Sequence, residues 1–261
     1  MNLDKAKRQF IKYTNNYDAE NPHIFRKIGH SIRVMEISRE IAKSLNLTEE
    51  QVDLATLIGL LHDIARFEQM KRYGTFKDKL SVDHGDLGVE ILKENNFIRK
   101  FIEEDKYDNI ILVAIKNHNK YAIQEGLNEE ELLFSKIIRD ADKLDIIYEG
   151  VELFWQSPEE KERVNKSKLT QATYEMFINE KQIERGPNET IADSLMGFVS
   201  FIFDIYFKYD FIVLKKEDYI NKILDKFNFE DVEVKEKFIN IRNIANRYIE
   251  KRNEGWFDWN L

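Results

Sequence analysis

Between residues 24 and 45, apolar Ile28, Ile32, Met35, Ile37 and Ile41 return at roughly helical intervals, while Arg33, Glu36, Arg39 and Glu40 take the other faces. The spacing predicts a helix. A second starts at Thr48, an N-cap with Gln51 three residues later, and runs through Leu54, Leu57, Ile58, Leu60 and Leu61 to His62 and Asp63. Its second half is apolar on nearly every side, which predicts a central buried helix. Residues 66–82 are polar and contain Gly74, and read as a loop beginning directly after the His62-Asp63 pair. Loops so placed often carry function.

Further helices are predicted at about 83–95, 107–117 and 129–148. Ile110, Ile111, Ala114 and Ile115 mark the second of these, and Leu132, Leu133, Ile137 and Ile138 the third. Beyond Gly150 come a polar stretch from Ser157 to Ser167, a turn at Arg185-Gly186-Pro187-Asn188, and apolar helices near 190–207, 216–227 and 231–251. The aromatic tail Trp256-Phe257-Asp258-Trp259 is expected to pack on the body or on a second subunit. No repeat and no linker-like composition divides the chain. The expectation is an all-α fold, with a core at 1–150 that includes an N-terminal helix, and a C-terminal helical extension at 151–261 packed on the same domain.

Composition agrees. The 261 residues suffice for one large core, and only 10 Gly and 3 Pro leave few breakers for a many-stranded fold. The net charge of −8 argues against a nucleic-acid backbone as main partner. Absence of cysteine excludes a disulfide framework, a thiolate zinc cluster and a cysteine nucleophile, and fits a cytoplasmic setting. The N-terminal residues lack the continuous apolar stretch of a signal peptide, and no segment approaches the roughly 20 apolar residues that cross a bilayer. The longest apolar segment, 191–207, is interrupted by Asp193 and Asp204, and a homodimer face is among its candidate uses.

All five histidines, His23, His30, His62, His84 and His118, fall in the first half. Taken singly, His30 and His118 read as hydrogen-bonded core residues, and His23 beside Pro22 as a turn residue. The adjacent His62 and Asp63 are different, because an imidazole and a carboxylate at the end of an apolar helix both need partners if buried. A divalent cation satisfies both, and nitrogen with oxygen donors suits Mn, Fe, Co, Ni or Zn. The second acidic element is Arg139-Asp140-Ala141-Asp142-Lys143-Leu144-Asp145, in which Asp142 lies close to the buried side. The segment after His62-Asp63 holds Arg66, Lys71, Arg72, Lys77 and Lys79 against Glu68 and Asp78, a basic excess that predicts a phosphate-bearing substrate. Arg66, with its planar fork, is the foremost candidate for a phosphate contact.

In order, a helical His30, then Leu60-Leu61-His62-Asp63-Ile64-Ala65-Arg66, then Ala141-Asp142-Lys143-Leu144, this chain resembles the HD superfamily of metal-dependent phosphohydrolases over about residues 24–150. The resemblance implies that His30, His62, Asp63 and Asp142 bind a divalent ion, Mg included, with Asp140 as runner-up for the last place. It implies that Lys143 meets substrate phosphate. His84 and His118 fall where two-metal members place further histidines, so they either hold a second ion or face the substrate as acid or base. The implied activity is hydrolysis of a small phosphate ester or nucleotide by metal-activated water. Two alternatives stay open: a di-iron oxygenase with the same ligand set, and a non-catalytic metal- or nucleotide-binding sensor. Where some nucleotidases of the superfamily carry a catalytic glutamate, Arg66 stands, and Glu68 follows two residues on.

Overall fold

The N-terminal helix α1 (Leu3–Thr14) is capped by Asn2, and α2 (Pro22–Ser44) by Asn21 with Pro22 in its first turn. Helix α3 (Glu49–Leu61) starts with the capping box expected from Thr48 and Gln51. It ends at His62, and α4 (Ile64–Tyr73) begins immediately after Asp63. Then follow α5 (His84–Lys93), α6 (Asp108–Asn117) and the long α7 (Glu129–Glu152). The remainder folds as α8 (Pro158–Asn165), α9 (Gln171–Ile178), α10 (Ile191–Val199), α11 (Lys208–Glu217), α12 (Tyr219–Leu224) and α13 (Val232–Glu254). This computed structural model describes residues 1–18, 20–184 and 189–255, and among them there is no strand. The turn at 185–188 and the aromatic tail at 256–259 lie outside the described residues.

The chain forms two compact units, Met1–Asp142 and Lys143–Leu261. In the first, α3 is the centre: it packs on α1, α2 and α6, and every residue from Leu54 to Leu61 is buried. Each of its leucines and isoleucines removed from water contributes about 1.5–3 kcal/mol. Phe10, Tyr13 and Phe67 stack edge-on to seal α1 against α4. In the second, α13 carries α9, α11 and α12, and Phe203 packs edge-on against both Phe177 and Tyr248.

Several boundaries depart from the pattern-based expectation. Residues 66–73 are not loop but the body of α4. Ile64, Ala65, Phe67 and Gln69 face inward, the exposed Arg72 pairs with Glu68 one turn back, and Gly74 closes the helix in the left-handed conformation at φ 65°. A short amphipathic helix with charged outer residues reads as polar loop when its buried side is only four residues. The polar stretch after Ser157 holds α8, begun by a second capping box from Ser157 and Glu160. The apolar run from 190 stops at Val199 and continues as a 3-10 turn over Ser200–Asp204. The segment near 216–227 is broken at Asp218, whose φ of 54° separates α11 from α12.

Helices α2 and α3 approach closely at Gly59. A methyl group there would lie 2.7 Å from Ser38 Oγ and 2.9 Å from both Met35 Cα and Val34 O, two of which are backbone atoms that cannot rotate away. Gly59→Ala is therefore expected to destabilise the protein by about 1–3 kcal/mol despite alanine's better helix propensity. Urea denaturation measures this, and a variant as stable as the parent would contradict the close approach.

Candidate metal centre

Five segments of the first unit bring their polar residues to one buried place. His30 sits in the middle of α2 and is fully buried. His62 closes α3, and Asp63, with φ −102° and ψ 20°, leaves the helical path before α4 begins. That break lets two consecutive side chains face one space, where a continuous helix would spread them by about 100°. His84 opens α5, His118 directly follows α6, and Asp142 stands in α7.

The donor atoms are close. Nε2 of His30 and Nε2 of His62 are 3.1 Å apart, and Asp142 Oδ1 lies 3.1 Å from the first and 3.6 Å from the second. Asp63 divides its carboxylate between two pairs. Its Oδ2 is 3.4 Å from His30 Nε2 and 3.5 Å from His62 Nε2, and its Oδ1 is 3.5 Å from His84 Nε2 and 3.6 Å from His118 Nε2. The latter two nitrogens are 3.0 Å apart. Within the first unit three groupings, His30 with His62 and Asp63, His62 with His118 and Asp142, and Asp63 with His84 and His118, are compact enough to hold a divalent ion. Asp140 is buried but belongs to none of the groupings among the described residues.

The hydrogen bonds on the far side of the rings decide what these nitrogens can be. His62 Nδ1 donates to Gly59 O at 2.8 Å, and His118 Nδ1 donates to Ile115 O at 2.6 Å. His84 Nδ1 donates to Asp78 Oδ2 at 2.5 Å. A neutral ring so anchored presents a bare lone pair at Nε2. The facing nitrogens of His84 and His118 thus have no proton to share, and Asp63 Oδ1 is buried without a hydrogen bond. Lone pairs and a carboxylate oxygen turned on one another repel unless a cation lies among them, so the donor set fits a divalent ion.

Charge compensates charge around this place. Burial alone would raise the carboxyl of Asp63, but the charge of Lys27 beside it holds it well below the usual carboxylate range. Asp142 is likewise opposed by burial and held low chiefly by a hydrogen bond from His30. Burial pushes His62 down, and burial with the Arg66 charge pushes His84 down to about 3.

Arg66 lies next to this place and bonds inward to its own part of the chain. Its Nη1 donates to Gln69 Oε1, Phe76 O and Asp78 Oδ1, and its Nε is 3.4 Å from Asp63 Oδ1. The ammonium of Lys143, which is buried, is 2.8 Å from Asp204 Oδ2. Glu68 is engaged elsewhere, accepting from Tyr17 Oη and Arg72 Nε, and His23 is exposed with its ring edge-on to Phe76.

Two residues at the centre went unnoticed in the sequence. Lys27, buried, puts its ammonium 2.5 Å from Asp63 Oδ2. It stands one turn before His30 on the same face of α2, a spacing that could have singled it out. Arg139, fully buried in α7 one turn before Asp142, donates to the carbonyls of Asn117, Lys120 and Tyr121 and so pins the segment that carries His118.

Residues 28–147 match the family model described as the HD domain. This stretch is an HD domain, and it supports a place in the HD superfamily. No curated protein and no solved structure matches the chain.

The depressed histidines make stability depend on pH. Below 6.5 the unfolded chain takes up protons that folded His84 refuses until about 3, so stability present above 6.5 is lost as pH falls through that window. For His84 the loss between 6.5 and pH 5 is on the order of 2 kcal/mol, and the lowered His62 adds to it in the same direction. Urea titrations of metal-free protein across this range should show the midpoint falling steadily with acidification. A flat profile would mean these rings are not held neutral.

Proposed function

We propose that this chain is a metal-dependent phosphohydrolase acting on a small phosphate ester or nucleotide. The observation that carries the reading is the arrangement of four buried imidazole Nε2 atoms and the Asp142 carboxylate around the buried Asp63. His30, His62, Asp63 and Asp142 would hold a divalent ion. Such an ion supplies Lewis acidity, polarising a phosphoryl oxygen and acidifying a water molecule.

The chain's own residues do the remainder. His84 and His118 serve in one of two ways: they would hold a second ion together with Asp63, or one of them takes and returns a proton at Nε2. Arg66 keeps Asp63 in place through Nε and remains the candidate phosphate contact nearest the centre. Lys143 is the second candidate, a role that requires its ammonium to leave Asp204. The exposed Lys71, Arg72, Lys77 and Lys79 surround this part of the chain with positive charge, which favours an anionic substrate.

Asp63→Ala is expected to lose both bound metal and hydrolysis. Metal analysis of protein purified without chelator, followed by a phosphatase screen of nucleotides and sugar phosphates with Mn, Co, Ni and Mg, tests both halves. Undiminished turnover by the variant would refute the assignment. Native iron, with oxygen uptake on adding organic substrates, would replace hydrolysis by the di-iron oxygenase reading. Tight nucleotide binding without turnover under every metal would replace it by the sensor.

A further inference from the structure

In the sequence Asp78 is only one of two acids set among five positive charges. Its surroundings are more specific than that. It opens the 3-10 turn Asp78–Leu80 that follows α4. Its Oδ1 accepts from Arg66 Nη1 at 3.0 Å and from Gln69 Nε2 at 2.9 Å. Its Oδ2 lies 2.5 Å from His84 Nδ1 and accepts from Asn119 Nδ2 at 3.2 Å. Gln69 is fully buried and is itself fixed by Ser81 Oγ and Val82 O, so the carboxylate rests on a rigid base.

The other rings explain why such a base is needed. His62 and His118 direct Nδ1 to carbonyls three residues earlier, at Gly59 and Ile115, which their own helices supply. His84 is the first residue of α5, so the residue three before it, Ser81, lies outside any preceding helical turn. No helical carbonyl is available to aim this ring, and an acceptor must come from another part of the chain. A carboxylate oxygen at 2.5 Å from an imidazole nitrogen requires a proton between them, which puts that proton on Nδ1 and leaves Nε2 bare. That Nε2 is the atom 3.0 Å from His118 Nε2 and 3.5 Å from Asp63 Oδ1.

We infer that Asp78 is a positioning residue of the metal centre: held by Arg66, Gln69 and Asn119, it commits His84 to the Nδ1–H tautomer and turns Nε2 toward Asp63 and His118. The inference rests on the reading of this place as a metal centre. It also gives Arg66 a structural task, since its guanidinium spans Asp63 and Asp78 and fixes one carboxylate relative to the other. Carboxylates behind ligating histidines contribute in this way to metal affinity, and their loss typically weakens binding about 10–100-fold.

The substitution Asp78→Asn is informative because each partner named above donates. An amide placed there must turn an N–H either on His84 or on Arg66 and Gln69. Nitrogen-15 NMR of histidine-labelled, metal-free protein near neutral pH, with His84 assigned through His84→Gln, reads the tautomer directly. The wild type is expected to show His84 as a single Nδ1–H tautomer, and Asp78→Asn and Asp78→Ala a mixture or the Nε2–H form. Competition with a chromophoric chelator should show affinity for Mn or Co falling about 10–100-fold in both variants. Asp86→Asn, at an exposed position, should change neither quantity.

A wild-type His84 protonated at Nε2 overturns the inference without recourse to any variant, so poor folding of a variant does not shield it. Variants with the parental tautomer and affinity overturn it equally. A wild-type protein that takes up no divalent ion would sink the proposed function instead, while the tautomer would still decide the part played by Asp78.

Discussion

The rest of the first unit is organised by one costly act, the removal of the Asp63 carboxylate from water. An ionised group in an apolar interior costs several kcal/mol unless opposite charge and hydrogen bonds surround it. Here positive charge comes from Lys27 of α2 and Arg66 of α4, while the bare nitrogens of His62, His84 and His118 can offset the carboxylate only through a cation held among them. The leucine-rich α3 delivers Asp63 to the interior, and the break after His62 aims it. The arrangement is therefore both a packing solution and a chemical one. Its two carboxylate oxygens face two different imidazole pairs, which is why one and two ions are both compatible with the same residues.

The rings are oriented by two unlike devices. Where a histidine ends a helix, the preceding turn offers a carbonyl in register, and the orientation follows from local geometry alone. Where a histidine begins one, that carbonyl does not exist. His84 relies instead on Asp78 and on the Arg66, Gln69 and Asn119 bonds that steady it. Arg66 thereby serves the scaffold through Nη1 and Nε, and its standing as a phosphate ligand depends on what its other donors do when substrate arrives.

The all-α class, the burial of α3, and the adjacent His62 and Asp63 were legible in the sequence because each leaves a periodic or nearest-neighbour trace. Convergence of His30 and Asp142 with that pair was legible through the ordered motif rather than through spacing, since residues so distant in the chain share no period. Helix α4 was misread because four inward residues among charged ones carry little periodic signal. Asp78 and Arg139 were missed for a different reason: their importance lies in what they touch across the fold, and an acid in a basic stretch or an arginine in an acidic one looks like surface. Lys27 was within reach, one turn from His30, but a lone lysine on an amphipathic helix ordinarily points to water.

Arg139 has a consequence for how such a chain can change over time. By gripping the carbonyls of Asn117, Lys120 and Tyr121 from within α7, it sets where His118 stands without reference to the connection that leads on to α7. Beyond Tyr121 only Gln124, whose backbone N–H donates to Asn117 Oδ1, is seen to hold this segment among the described residues, and the stretch around Gly126, with its left-handed φ of 80°, is relieved of that duty. Insertions or deletions there are cheap in closure entropy, so this connection is free to drift in length and character while the imidazole it follows stays put.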